Sequence, residues 1–173
     1  MQKSKFKVQM TNKIQNLKSQ ISNKPTTQIA LLQLLILTHI AEEYYFGFPD
    51  WATQHFGTTT TAWYVLSHLL LAPMFIAIIV ATYKGLRWGI FFAVVLQALI
   101  FFNGLFHIST YLLWSEYSPG IISQLVIIPL TFIVYKFIFK HKLLTLKETA
   151  IGSLVGFFVC TFVVASLLLD IPV

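Results

Sequence analysis

The residues with the greatest chemical capacity in this chain are His39, Glu42 and Glu43, which stand in an otherwise apolar stretch. On a helix, offsets of three and four residues place both carboxylates on the flank of the imidazole, one turn along. Asn103 and His107 are four apart in a second apolar run, with Tyr111 continuing the stripe, and His68 lies in a third. An ionisable group costs about 2.5–3.5 kcal/mol at the centre of a membrane helix, and less toward the interface. So many of them together point to a buried polar site.

Imidazoles and carboxylates are a sufficient ligand set for a transition metal. His39, His107 and Glu43, with His68 as a further candidate, can hold zinc or another divalent transition metal and leave a position for water. Glu42 and Glu43 are both catalytic candidates, one as ligand and the other as general base. Asn103 is a candidate for orienting a ligand or stabilising an oxyanion, and Tyr117 for donating a proton. This favours a membrane-embedded, metal-dependent hydrolase. The same residue types also serve a metal-free acid–base enzyme, such as a lipid isomerase, in which one glutamate stays protonated while the other abstracts a proton. Proton- or cation-coupled transport or binding is a reading from another class. Polar residues can also simply lock helices together. For His68, between Ser67 and Leu69, packing is the favoured role, and Pro119 and Gly120 are expected only to shape a turn.

The elements that must position these groups are membrane helices. The 173 residues are 57% hydrophobic, 16% aromatic and only 10% charged, against about 25% charged in an ordinary soluble domain. Backbone hydrogen bonding in lipid allows helices or closed barrels, and the long runs without alternation exclude the barrel. The expectation is an all-α polytopic bundle of five spans, near residues 28–48, 62–83, 88–114, 121–139 and 149–168. The first is the weakest, because two glutamates interrupt it. The third is long enough to tilt, or to kink at Gly104.

In this layout all 12 Lys and Arg residues fall on one side, before the first span, in the loop after the second, or at the end of the fourth (Lys136) and in the loop that follows it. The positive-inside rule makes that side, and the N-terminus, cytoplasmic. The net charge of +6 is therefore a topology signal, and with no nucleic-acid motif beside it nucleic acid is not an expected partner. Membrane lipids and a lipid-like small molecule are. A bacterial cytoplasmic membrane is the expected location. Trp51, Trp63, Tyr64, Trp114 and Tyr117 gather near the opposite face and read as an interfacial belt. By depth along each span, His39, Glu42, Glu43, His68 and His107 all fall in the outer half.

Two regions follow. Residues 1–26 carry Phe6, Met10, Ile14, Leu17 and Ile21 on one stripe of a basic amphipathic segment, suited to the cytoplasmic leaflet surface. A frayed polar tail explains the same residues equally well. Residues 27–173 form a single transmembrane domain. The lone cysteine, Cys160, lies in the last apolar run and reads as a small hydrophobe.

Three short motifs resemble a known family. His39-Ile40-Ala41-Glu42-Glu43, Asn103-Gly104-Leu105-Phe106-His107 and Tyr117-Ser118-Pro119-Gly120 are similar, in that order, to the His-x-x-Glu-Glu, Asn-x-x-x-His and Tyr-x-Pro-Gly signatures of the HXXEE-domain family. The resemblance covers about residues 39–120 directly. It implies a small integral membrane protein with a suspected enzymatic role and no established substrate. There is no His-Glu-x-x-His zinc-peptidase helix. The Glu-Glu-x-x-x-Arg pattern of intramembrane proteases that cleave near prenylated C-termini also fails, because Gly47 stands where its arginine would be.

Overall fold

The structure, a computed structural model, describes residues 24–57 and 60–168. Among the described residues every regular element is an α-helix: α1 (Pro25–Gln33), α2 (Ile36–Tyr45), α3 (Phe48–Phe56), α4 (Thr61–Tyr83), α5 (Arg87–Trp114), α6 (Ile121–Lys140) and α7 (Leu146–Leu168). The four helices α4 to α7 are each long and apolar enough to cross a membrane, and the bent run from α1 to α3 makes a fifth if counted as one span. The amphipathic stripe expected over residues 1–26 lies almost wholly outside the described residues.

The first span departs from the single helix expected at residues 28–48. Between α1 and α2 the backbone tightens to i→i+3 bonds, from Leu34 N to Leu31 O and from Leu37 N to Leu34 O. Thr38 Oγ1 donates back to the Leu35 carbonyl at 2.6 Å, competing for the same acceptors. Beyond Tyr45 the chain does not run on. Gly47 takes φ 74°, a conformation open to glycine, and Pro49 sits in the first turn of a new helix. That helix, α3, lies 66° from the preceding axis.

Helix α5 is the centre of the bundle and packs against α4, α6 and α7. At 28 residues it is about 42 Å long, more than the hydrocarbon core requires. It runs unbroken through Gly104, which serves close packing: a Cβ there would meet Gln124 Oε1 of α6 at 2.5 Å. Gly156 of α7 does the same against the Val95 carbonyl, as small residues do where membrane helices approach closely. The outward faces are apolar and exposed, with Leu69, Leu70 and Met74 on α4 and Leu125, Val126 and Phe132 on α6.

The interior is layered along α5. At the end where α5 starts, Ile90, Ala93 and Val94 pack with Ile29, Ile78, Val134 and Ile138. Next comes Gln97, then a collar of Ile36, Ile100 and Ile127, then Asn103 and His107. At the far end Phe48, Trp51, Ala52 and Tyr64 close the core. Arg87 binds Glu148 through Nε at 2.9 Å and Nη2 at 2.8 Å, which ties the starts of α5 and α7 together. Thr26 lies beside Gly85. The start of α1 and the two cationic turns therefore share one end of the bundle, as the charge pattern requires.

Two residues assigned to the interfacial belt turn inward. Trp51 and Tyr64 are buried, while Trp63, Trp114 and Tyr117 remain exposed. Helix α3 folds back over the bundle end and carries Trp51 inside, where Nε1 donates to Glu116 Oε1 at 2.8 Å. His55 of the same helix also binds Glu116 and stacks on Trp114.

Candidate functional site

Helix α2 places His39 and Glu43 on one face, four residues apart, and the bundle buries both to 2% and 6% exposure. Helix α5 brings His107, fully buried, against them. Glu43 Oε1 lies 3.3 Å from His39 Nε2 and 3.1 Å from His107 Nε2. Its other oxygen, Oε2, accepts from the Tyr64 hydroxyl at 2.8 Å. The imidazoles meet edge to face with centroids 5.2 Å apart, and the Phe48 ring of α3 covers His107.

The outward nitrogens of the two rings are held differently. His39 Nδ1 faces the Gly120 carbonyl at 3.2 Å and Ser123 Oγ at 2.9 Å. Ser123 Oγ donates its own proton to that carbonyl at 3.0 Å, so toward His39 it accepts. With two acceptors nearer than the one donor, Gln124 Nε2 at 3.4 Å, Nδ1 carries the proton. Nε2 of the same ring also faces oxygens, Glu43 Oε1 and, at 2.7 Å, Asn103 Oδ1. The ring is satisfied as an imidazolium, or as a neutral ring with a cation lodged among Nε2 and those oxygens. His107 is more adaptable. Its Nδ1 meets Ser118 Oγ at 2.9 Å, and Thr110 Oγ1 can donate either to Ser118 Oγ or to the His107 carbonyl, both at 3.0 Å. Ser118 can therefore donate to His107 or accept from it.

This donor set fits a metal ion. His39, Glu43 and His107 each offer one ligand atom, and these lie within 4.8 Å of one another. Two of the three separations, 3.1 and 3.3 Å, match the edge of about 3.3 Å in a tetrahedral zinc site with bonds of about 2.0–2.1 Å. Both imidazoles have an oxygen partner on the remote nitrogen, as metal-bound histidines need for orientation.

Glu42, one residue away, does not join this cluster. Its Oε1 accepts from the Tyr117 hydroxyl at 2.6 Å, from Gly120 N at 3.2 Å and from Ile122 N at 2.9 Å, and its Oε2 accepts from Ser123 N at 2.6 Å. It caps α6 from a different helix, supplying acceptors to orphan N–H groups and negative charge to the positive end of the helix dipole. Tyr117, partly exposed, belongs to the same clamp; the partial desolvation of its phenol, then the hydrogen bond and charge of Glu42, raise it above the ordinary value and keep it a donor.

Of the remaining candidates, Asn103 lies at the edge of the cluster and also accepts from Gln124 Nε2 at 3.2 Å. His68 stays outside. Its Nδ1 is spent on the Tyr64 carbonyl at 2.8 Å and its ring lies against that of Tyr64. Gly120 does more than turn the chain: with φ 108°, it leaves room where a Cβ would come within 2.7 Å of His39 Cε1 and 3.0 Å of His107 Nε2. Sequence reasoning missed Tyr64, Ser118, Ser123 and Gln124. The last two were visible as a polar pair opening an otherwise apolar helix. Tyr64 carried no signal that separated it from an interfacial tyrosine.

A family model described as a protein of unknown function with HXXEE motif matches residues 30–134. No curated protein and no solved structure matches the chain.

Proposed function

The chain belongs to the HXXEE family, and we propose that it is a membrane-embedded, metal-dependent hydrolase acting on a lipid-like substrate from the outer half of the bilayer. The observation that carries this reading is the convergence of His39 Nε2 and His107 Nε2 on one oxygen of Glu43, with both remote nitrogens anchored on oxygen. His39, Glu43 and His107 hold the ion, zinc by preference. An ion bound there supplies Lewis-acid polarisation and activates water at neutral pH. Asn103 turns its Oδ1 toward His39 Nε2 and is placed to orient that ring. Tyr64 keeps Glu43 Oε2 oriented. The lipid-like substrate is supported by a site set within an apolar bundle, near the end opposite the cationic turns. Those turns, with the start of α1, define the cytoplasmic side in this reading, and a bacterial cytoplasmic membrane is the expected host.

One observation favours a second reading. The distances of 3.1 and 3.3 Å from Glu43 to the two imidazoles are also those of N–H donors on a carboxylate, so protons alone satisfy the cluster. Glu43 would then act as the acid–base group of a metal-free enzyme such as a lipid isomerase. Elemental mass spectrometry on detergent-purified protein, beside a His39→Ala/His107→Ala double variant, separates the two. Near-stoichiometric zinc or another divalent metal, lost in the variant, is expected. Its absence from wild type after metal-supplemented growth and chelator-free purification overturns the metal reading in favour of the second.

A further inference from the structure

Three groups meet His39 Nδ1, and the two nearer ones, both acceptors, are held in place by the neighbouring glutamate; the third, Gln124 Nε2, lies at 3.4 Å from both ring nitrogens. Gly120 gives its carbonyl to His39 at 3.2 Å and its N–H to Glu42 at 3.2 Å. Ser123 gives its hydroxyl to His39 at 2.9 Å and its N–H to Glu42 at 2.6 Å. The carboxylate thus grips the backbone of the two residues that fix which nitrogen of His39 carries the proton. His107 has no such clamp, since its Nδ1 rests on Ser118, which can donate or accept.

We propose that Glu42 is the positioning residue of the site: by capping α6 in trans it holds the Gly120 carbonyl and the Ser123 hydroxyl on His39 Nδ1, and so commits Nε2 to the Glu43 side. This role rests on the proposed metal reading for its purpose but not for its geometry. It gives the two adjacent glutamates separate tasks. Glu43 belongs to the ligand set, and Glu42 orients one member of that set without touching the ion. Remote partners of this kind typically account for about ten- to a hundredfold in metal affinity. A glutamine at position 42 keeps the size but turns an amide N–H₂ toward at least one of the backbone donors, so the clamp opens on one side.

The test uses the full chain in detergent micelles, with ¹⁵N-labelled histidine and Co²⁺ as the metal probe. His39 is assigned by comparison with His39→Gln. In wild type its Nδ1 is expected to show the protonated signature, and in Glu42→Gln the signal shifts toward a mixture of tautomers. Co²⁺ affinity falls by about ten- to a hundredfold in that variant. Gln97→Leu, remote from the site, controls for general loosening of the bundle and leaves both readouts unchanged. If Glu42→Gln retains the wild-type ¹⁵N signature, the proposal is wrong, whatever its thermal stability. If wild type fails to bind Co²⁺, the metal reading fails on its own and the ¹⁵N signature alone decides the role of Glu42. Should Glu42→Gln not fold, Glu42→Asp decides: it keeps the charge but is one methylene too short to hold the backbone N–H groups of Gly120 and Ser123 together. An unchanged His39 signature there also overturns the proposal.

Discussion

The same helical segments carry polar side chains at two depths, and the two tiers are built on different chemistry. Nearer the cationic end, Gln33 Nε2 donates to Gln97 Oε1 at 2.9 Å, Gln97 Nε2 to Thr131 Oγ1 at 2.7 Å, and Thr131 Oγ1 to the Ile127 carbonyl at 3.1 Å. Six or seven residues along the α1–α2 segment, α5 and α6 lie His39, Asn103 and Gln124, about 9–11 Å away at helical rise. Ile36, Ile100 and Ile127, one from each segment, stand between. The inner tier is neutral and runs one way, donor to acceptor, into the backbone. The outer tier is ionisable, and hydroxyls back both of its imidazoles. Polarity inside an apolar bundle is therefore not in itself a sign of chemistry. Groups that can change protonation or bind a cation, held by partners that can donate or accept, are. The isoleucine collar also weighs against transport, because an ion path along these helices would have to cross it.

The sharpest way to test that contrast is to remove the charge from the outer tier. Glu43→Gln is expected to reduce bound metal to background and to destabilise the fold by about 3 kcal/mol, the low end for breaking a buried charged cluster from one side. Metal content and detergent-phase thermal unfolding read the two effects separately. Retention of stoichiometric metal would remove the distinction between the tiers. A smaller loss comes from Gly120→Ala. The new Cβ would meet His39 and the residue would keep a positive φ, which together cost about 1–3 kcal/mol and displace the ring. A stability unchanged from wild type would show that the turn relaxes without disturbing His39. Tyr64→Phe removes one hydrogen bond to Glu43 and should cost about 1.5–3 kcal/mol if the carboxylate is charged, but about 1 kcal/mol if it is not.

How much of this was legible depended on whether a feature was local. The four long helices end within three residues of their expected positions, because apolar length and the loop signals report on each helix alone. The convergence of His39, Glu43 and His107 was legible from helical spacing and depth. The different tasks of Glu42 and Glu43 were not. Neighbours on a helix point about 100° apart, and which of them meets the N-terminus of α6 depends on how the two helices are rotated against each other. Helix α3 has a local start signal, Gly47 followed by Phe48-Pro49, but it sits inside a run apolar enough to read as the tail of a span. The inner tier went unmarked because glutamine and threonine are unremarkable one at a time.

The weakest expected effect discriminates best between locking and chemistry. Gln97→Leu alone strips Gln33 of its acceptor and Thr131 of its donor. Thr131 still has the Ile127 carbonyl, but the Gln33 amide is left buried and unpaired, so the variant should lose about 1 kcal/mol. Replacing both partners removes the stranded group. Gln33→Leu/Gln97→Leu should therefore be more stable than Gln97→Leu alone, and within about 0.5 kcal/mol of wild type, since apolar pairs of similar shape nearly match a hydrogen-bonded pair. Thermal unfolding measures that ordering, and bound metal should be unchanged in both variants. If the double variant were the less stable, the amides would be doing more than satisfying each other. If it also lost metal, the collar would not insulate the tiers, and the inner polar groups would have to be counted as part of the site.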